Sequence, residues 1–454
     1  MNVPIEKGLE YTIDITGMGS DGEGVGKIDG FTVFVNGAII GEKVRILIIK
    51  VSKNYAIGKL EEIIEESSIR ATPKCSIYKQ CGGCNMQHVS YENQLKIKRQ
   101  KVEDALKRIG KIEDIEVLET LGMAEPDRYR NKVILPMGRD DKGVKIGFFA
   151  PRSHNIVDME SCDIQHVIAD KVSAIVRKWA IENDISIYNE TNESGNLRNI
   201  MIRYGFTTGE TMVVLVTKET RLKGADKLVE EIKENLPEVV SIIQNINHKN
   251  TNVVLGEKCK TLWGKDVIED YIGDLKFSIS ALSFFQVNPV QAKVLYEKAL
   301  DYAGLTGKET VFDIYCGTGA ISLFLAKKAK IVYGVEVVPE AIENAKENAI
   351  ANSVDNVEFL IGEAELVIPK MIADGIKPDV VVVDPPRKGC DKALLETIAK
   401  ADPSKIVYVS CDCATLARDM KFLGEMGYEA NTIQPVDMFP MTAHVECVVL
   451  MEKK

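Results

Sequence analysis

The 454-residue chain has little of what would mark it as secreted, membrane-bound or disordered. Its ten cysteines are too sparse and too clustered by position to be a disulfide scaffold. No apolar run is long enough to span a bilayer, and the start MNVPIEKGLEYTID has no signal-peptide core. A cytoplasmic protein with reduced thiols is therefore expected. Internal repeats and low-complexity tracts are absent. Positive charge is short as well: 57 Lys and Arg stand against 67 Asp and Glu, for a net charge of −10. That average argues against a nucleic-acid partner. What remains, 45% hydrophobic and 27% charged residues, is an ordinary globular composition with length for two or three domains.

The distribution of charge overturns its average. Residues 1–62 read as short strands separated by Gly and Asn, such as YTIDITGMG, FTVFV and GEKVRILIIKV, which predicts a small OB-type barrel. From Ile69 to Lys111 there are ten Lys and Arg and three Asp and Glu. NQLKIKRQKVEDALKRIGKI has helical apolar spacing with Lys96, Lys98, Arg99, Lys101, Lys107 and Arg108 around it. A solvated helix face is the plain reading. The second basic set Arg128, Arg130 and Lys132 points instead to a phosphate-facing surface. Residues 63–270 form a mixed α+β region, with GVKIGFFAPRSHNIVD as a hairpin, LRNIMIRYGF and ETMVVLVTK as a strand pair and GADKLVEEIKENL as a helix. Residues 271–454 alternate strands such as TVFDIY, KIVYGVE, DVVVVD and KIVYVS with helices, which predicts a doubly wound parallel sheet. The overall class is thus α/β, with a barrel and an α+β region ahead of it.

Cys75, Cys81 and Cys84 lie together in CSIYKQCGGCNMQH, and Cys162 stands apart in MESCDI. Three close thiols and one distant one can converge on a site for zinc or an iron–sulfur cluster, and the Gly82–Gly83 pair permits the tight turn. A redox pair is disfavoured because no thioredoxin-like βαβ pattern surrounds the CGGC.

FDIYCGTGAISLFLA reads as strand, glycine turn and helix, but Ser322 stands where a dinucleotide fingerprint wants its third Gly or Ala. Acids then close successive strands: Glu336, Glu363 and Asp384. Glycines for close approach and acids at strand ends describe a nucleoside site without a phosphate cradle, which favours S-adenosylmethionine over NAD. Arg387 follows Asp-Pro-Pro where an amine-methylating site carries an aromatic, so an exocyclic amine is not the expected target.

Cys411 ends the strand KIVYVS just before a helix start expected near Thr415, where a thiol pKa can be lowered. Glu446 lies in the apolar strand AHVECVVLME, where burial raises a carboxyl pKa and suits it to accept a proton. A nucleophilic thiol, a base and a methyl donor fit carbon-5 of uracil, which attacks a sulfonium only after a nucleophile adds at carbon-6. The base must then leave its stack. Phe284 and Gln286 in SFFQVNP are candidates to pack or touch it.

Taken in order, RYRNK, GFFAPRSH, SFFQVNP, DIYCGTGAISL, GVEVVPEAIENAKENA, DPPRKG, SCDCATLARD and HVECV resemble the RNA uracil-5 methyltransferase family nearly end to end, and specifically its 23S ribosomal RNA branch. GEGVGKIDGFTVFVNGAIIGEKV is similar to a TRAM barrel. The resemblance implies Cys411 as nucleophile and Glu446 as base. It implies Gln286, Tyr315, Glu336 and Asp384 at S-adenosylmethionine, and Cys75, Cys81, Cys84 and Cys162 as ligands of a 4Fe–4S cluster. Transfer-RNA members generally lack barrel and cluster, so the implied partner is 23S rRNA, with neither DNA nor membrane. The nearest rivals are the transfer-RNA T-loop as target, or a non-catalytic iron–sulfur RNA-binding protein. Cys413 departs from the family pattern and is given no catalytic role.

Overall fold

The computed structural model describes residues 4–454. Strands β1 (Glu10–Met18), β2 (Gly24–Ile28), β3 (Phe31–Asn36), β4 (Lys43–Val51) and β5 (Tyr55–Glu65) close into a barrel in the order β1-β2-β3-β5-β4. Alternation points Ile13, Ile15, Val33, Val35, Val44, Ile46 and Ile48 inward, where they form the barrel core. Closure removes the free edges that five short strands would otherwise expose. The barrel expected from the sequence is the one observed.

The cysteine segment carries no regular element until helix α1 (Tyr91–Ala105), which runs on as one π-turn over Leu106–Gly110. This helix is not a free phosphate-facing stripe. Lys98 is wholly buried in an ion pair with Asp437 and donates to the Phe439 carbonyl at 3.1 Å. Lys101 donates to the carbonyls of Ser20 and Ala443, each at 2.9 Å. Arg99 and Arg108 pair with Glu103 and Asp104 one turn away. Lys98 and Lys101 thus tie a barrel loop, the helix and the 437–444 segment together, while Lys96, Lys107 and Arg108 stay exposed. Strand β6 (Glu116–Val117) follows.

The middle region contains β7 (Lys132–Asp140), β8 (Gly143–Phe149), β9 (Ile156–Asp158), helix α2 (Val167–Glu182), β10 (Leu197–Tyr204), β11 (Thr211–Thr217), helix α3 (Ala225–Asn235), β12 (Val239–Ile246) and β13 (Lys258–Gly264). Its sheet has the order β13-β12-β11-β10-β7-β8-β9 and is mixed, because β11 and β12 run parallel across the α3 crossover. Trp179 and Val176 of α2 and Leu228 and Ile232 of α3 bury one face. The β8–β9 and β10–β11 pairs and α3 match the sequence expectations; α2 has no counterpart among them.

The C-terminal half begins with the hairpin of β14 (Val267–Ile272) and β15 (Leu275–Ser280), then helix α4 (Pro289–Ala303). Strands β16 (Thr310–Ile314), β17 (Ile331–Glu336), β18 (Val357–Ile361), β19 (Val380–Val383) and β20 (Lys405–Ser410) alternate with α5 (Ala320–Ala326), α6 (Pro339–Ala351), α7 (Ala364–Ala373), α8 (Lys392–Ala401) and α9 (Cys413–Glu425). Strands β21 (Tyr428–Glu429), β22 (Thr432–Val436) and β23 (Glu446–Lys453) complete the sheet, ordered β18-β17-β16-β19-β20-β23-β22-β6 with β21 on β23. The first five are parallel, and β23 enters antiparallel beside β20.

Alternation along β19 shows why the sheet is sandwiched. Val380 and Val382 face a core shared with Leu295 of α4 and Leu323 of α5, while Val381 and Val383 face one shared with Leu395 of α8 and Leu416 of α9. The chain winds outward from β16 in both directions, so the sheet's switch point lies between β16 and β19. Carboxyl ends of strands at such a point form the natural crevice for a ligand.

Candidate active site

The turn after β16 is shaped by backbone needs. Tyr315 has φ of 66°, and Gly319 has φ of 79° with no space for a side chain: a Cβ there would lie 2.8 Å from the Phe359 ring. Ser322, the residue that breaks the dinucleotide pattern, donates through Oγ to the buried carboxylate of Asp313 at 2.5 Å. Burial pushes Asp313 up to about 7. At the end of β17, Glu336 accepts from the backbone N–H groups of Val337 (2.8 Å), Val338 (3.0 Å) and Gly317 (3.3 Å). Its carboxylate is thus fixed beside the glycine turn.

Gln286, Tyr315, Glu336 and Asp384 line one cavity of about 1630 Å³ together with Cys411 and Glu446. All six of these side chains are therefore brought to one crevice, five at the ends of β16, β17, β19, β20 and the start of β23, and Gln286 from the segment between β15 and α4. Glu363 and Phe284 line it too. Cys413 does not: it is buried in the opposite core layer with Leu416 and Ala417.

Cys411 follows β20 directly, and helix α9 begins at Cys413, two residues before Thr415, capped by Asp412, whose carboxylate accepts from the N–H groups of Ala414 and Thr415 at 2.9 and 3.0 Å. The helix start does not make the free thiol acidic. Burial, then the Glu446 and Asp384 carboxylates, push Cys411 up to about 11, with Arg387 opposing them. Glu446 itself is pushed up to about 8, by burial first and Asp384 second. Burial holds Asp384 at about 7. Near neutral pH Glu446 is therefore mostly protonated and Asp384 about half so, which lessens the charge that disfavours a thiolate.

One pocket residue had no mark in the sequence. Tyr296 is only 3% exposed on α4, yet it lines the crevice, where burial and the carboxylates of Asp384 and Glu446 drive its hydroxyl pKa up. Its helical spacing signals a core residue, and nothing signals the direction of the hydroxyl. Arg130 lines both this crevice and a second cavity.

That second cavity, of about 310 Å³, is lined by Cys75, Cys81, Cys84 and Cys162. Burial first, and the thiols of Cys162, Cys81 and Cys75 after it, raise Cys84 to about 12 against a hydrogen bond to Gln87 that lowers it. Residues 87 positions apart in sequence are thus gathered around one space. Among the described residues, no three His, Cys, Asp or Glu side chains are drawn together to hold a single metal ion. Lys132, in the same lining, has its pKa lowered to about 8 by burial and by Arg203 and Arg130. Arg128, by contrast, is latched to Asp170 at 2.7 Å and to the Cys162 carbonyl at 2.6 Å.

A family model described as tRNA (Uracil-5-)-methyltransferase matches residues 90–454, and one for the TRAM domain matches residues 4–60. A Clostridium tetani protein named as an uncharacterized RNA methyltransferase is 59% identical over 450 residues, covering 99% of this chain and 98% of its own length. A Clostridium acetobutylicum protein of the same description is 55% identical over 453 residues, with 99% and 98% covered. Among solved structures, the Pyrococcus abyssi tRNA (uracil-54, C5)-methyltransferase in complex with S-adenosyl-L-homocysteine is similar with TM-score 0.78 and 29% identity, covering 97% of this chain and all of that one.

Proposed function

The chain belongs to the tRNA (uracil-5-)-methyltransferase family, an S-adenosylmethionine-dependent class of RNA-modifying enzymes, and from that premise we propose that it methylates carbon-5 of a uridine in 23S rRNA through a covalent Cys411 adduct. The observation that carries the chemistry is the convergence of Cys411 and Glu446 in one crevice with the acids that suit a nucleoside. A binding protein needs neither a buried thiol nor a buried base.

S-adenosylmethionine, when bound, supplies an electrophilic methyl group on a sulfonium. Glu336, fixed by three backbone N–H groups, suits the ribose hydroxyls, and Tyr315, Gln286 and Asp384 complete the set that holds the donor. Cys411 loses its proton to solvent and adds as thiolate to carbon-6 of the uracil, and the C5=C6 electron pair moves toward the carbonyl at carbon-4. Carbon-5 then carries the nucleophilic pair that takes the methyl. Glu446 as carboxylate removes the carbon-5 proton, the C5=C6 bond re-forms, and the C6–S bond breaks to release Cys411. Phe284 packs the target base at the mouth.

Four thiols line the cysteine cavity, and thiolates are the donors that both an iron–sulfur cluster and a zinc ion take. Thiolates of Cys75, Cys81, Cys84 and Cys162 would hold the cluster and so pin the basic 128–132 segment beside the crevice. The preference for 23S rRNA rests on the resemblance in the sequence. Neither the barrel nor the cysteine segment discriminates, because the likeness to the Pyrococcus abyssi tRNA enzyme covers 97% of this chain and so spans both. That likeness favours a second reading, the transfer-RNA T-loop. In either case the barrel and the Arg130–Lys132 wall would face RNA.

Transcripts of 23S fragments and of tRNA, each carrying tritium at uridine carbon-5, separate these readings. Anaerobically purified protein is incubated with each, with and without S-adenosylmethionine, and tritium released to water is counted. Donor-dependent release from the 23S fragment is expected. Release from tRNA alone moves the target to the T-loop, and methyl incorporation without release from either RNA overturns the carbon-5 chemistry.

A further inference from the structure

The segment between β15 and α4 forms the mouth of the crevice and is unusual in how firmly its backbone is held. Arg203, 3% exposed, sits beneath it and donates through Nη2 to the carbonyls of Ser283 at 2.5 Å and Ala281 at 3.3 Å. No carboxylate offsets this guanidinium; burial alone governs its pKa, which is lowered to about 10. A buried unpaired cation is costly, and here it is used to hold two carbonyls on either side of one residue, Leu282. The Ser280 hydroxyl accepts from the N–H groups of Leu282 (3.2 Å) and Ser283 (3.1 Å) and pairs with the Ser283 hydroxyl at 2.8 Å. Further along, Asn131 donates through Nδ2 to the Gln286 carbonyl at 2.9 Å and through its backbone N–H to the Val287 carbonyl at 2.8 Å.

On this braced backbone the side chains alternate. Ser283 and Phe285 turn inward, Phe285 packing on Phe277 with ring centroids 5.7 Å apart. Leu282 and Phe284 turn outward, 48% and 65% exposed, at the rim of the crevice. Two adjacent outward apolar side chains on a stiff backbone hydrate poorly, and nothing in the fold covers them. An RNA strand delivering a base into the crevice supplies an apolar partner, since extrusion leaves a gap between the faces of the flanking bases. Side chains such as Leu fill gaps of this kind where proteins unstack nucleic acid.

We propose that Leu282 is a wedge that enters the RNA stack in the place of the extruded uridine, while Phe284, two residues on, packs the extruded base. This rests on the reading of the crevice as a uracil site. Arg203 acts through the backbone, keeping Leu282 from yielding when it meets the stack. The wedge works against stacking, so its benefit depends on how firmly the target is stacked.

The experiment uses the full-length holoenzyme with two RNAs of identical flanking sequence: a hairpin with the target uridine stacked in a helix, and an unstructured strand. Single-turnover methyl transfer and tritium release are followed for wild type, Leu282→Ala and Leu282→Met. Leu282 is exposed, so neither substitution disturbs the core. Loss of the wedge is expected to slow L282A about tenfold on the hairpin, equivalent to ~1.4 kcal/mol, and less than about threefold on the unstructured strand. L282M, which keeps an apolar side chain of similar length, is expected to stay close to wild type on both. With 2-aminopurine placed beside the target, the fluorescence rise on binding is expected to shrink in L282A. Equal slowing on both RNAs, no slowing on either, or an undiminished fluorescence rise overturns the wedge. Failure of wild type to release tritium from either RNA overturns the uracil reading itself, which separates the two.

Discussion

At the residue scale, the pKa shifts in the crevice fix what substitutions should do. Glu446 is buried with its carboxyl held up near 8, above the unfolded value. As a base it works only when ionised, and Cys411, held up near 11, adds only as thiolate, so activity should rise with pH through 8 and keep rising above it. The same shift has the opposite consequence for stability. The folded state prefers the protonated acid, so the stability this group supports is complete at low pH and is lost as pH rises through about 8. Glu446→Gln should therefore melt higher than wild type at pH 8, with the difference fading below the unfolded carboxylate pKa near 4.5. It should also stop turnover after methyl transfer, leaving protein bound to methylated RNA on a denaturing gel. Cys411→Ala should bind S-adenosylmethionine by calorimetry with little change and form no adduct at all. A Cys411→Ala protein that still turned over would remove the sulfur from the mechanism.

At the element scale, the buried Lys98–Asp437 pair is the clearest structural wager. It joins α1 to the segment before β23, and Tyr91 donates a second hydrogen bond to Asp437 at 2.9 Å. Lys98→Met leaves Asp437 buried without its counter-charge, and chemical denaturation should show a loss of roughly 3–5 kcal/mol. An unchanged unfolding midpoint would mean that water reaches Asp437. This pair also shows where sequence reading stops. The barrel, the hairpin and the parallel strands were legible because alternation and glycine turns are local signals, as in YTIDITGMG and DVVVVD. The crevice was legible because its residues stand at strand ends, a position that a pattern of strands and acids reveals. Whether Lys98 faces water or Asp437, 339 residues away, is decided by packing, and a charge run carries no sign of it. The same holds for Tyr296, a core-like helix residue whose hydroxyl happens to open into the crevice, and for the acidity of Cys411, where burial outweighs the nearby helix start.

At the scale of the whole molecule, two cavities share one wall at Arg130. The cysteine cavity lies where the 75–84 loop meets the middle sheet, and backbone contacts such as Gly82 N–H to the Phe149 carbonyl at 3.0 Å join the two. Cys81→Ala should abolish the visible absorbance of a cluster and lower the melting temperature of the anaerobic protein; unchanged spectra and melting would remove the cluster from the account. Arg130, Lys132, Arg387 and Lys388 line these cavities and are the cations there that RNA phosphates could meet, although the larger crevice also carries eight acids. The central claim is that this fold delivers a uracil to the Cys411 sulfur. Its most direct test is RNA carrying 5-fluorouridine at the target, incubated with S-adenosylmethionine and analysed by denaturing gel and peptide mass spectrometry. Fluorine at carbon-5 cannot leave as a proton does, so the adduct should accumulate, methylated, on the peptide containing Cys411. Free RNA at the end of the incubation, or a linkage to any other residue, would contradict the account.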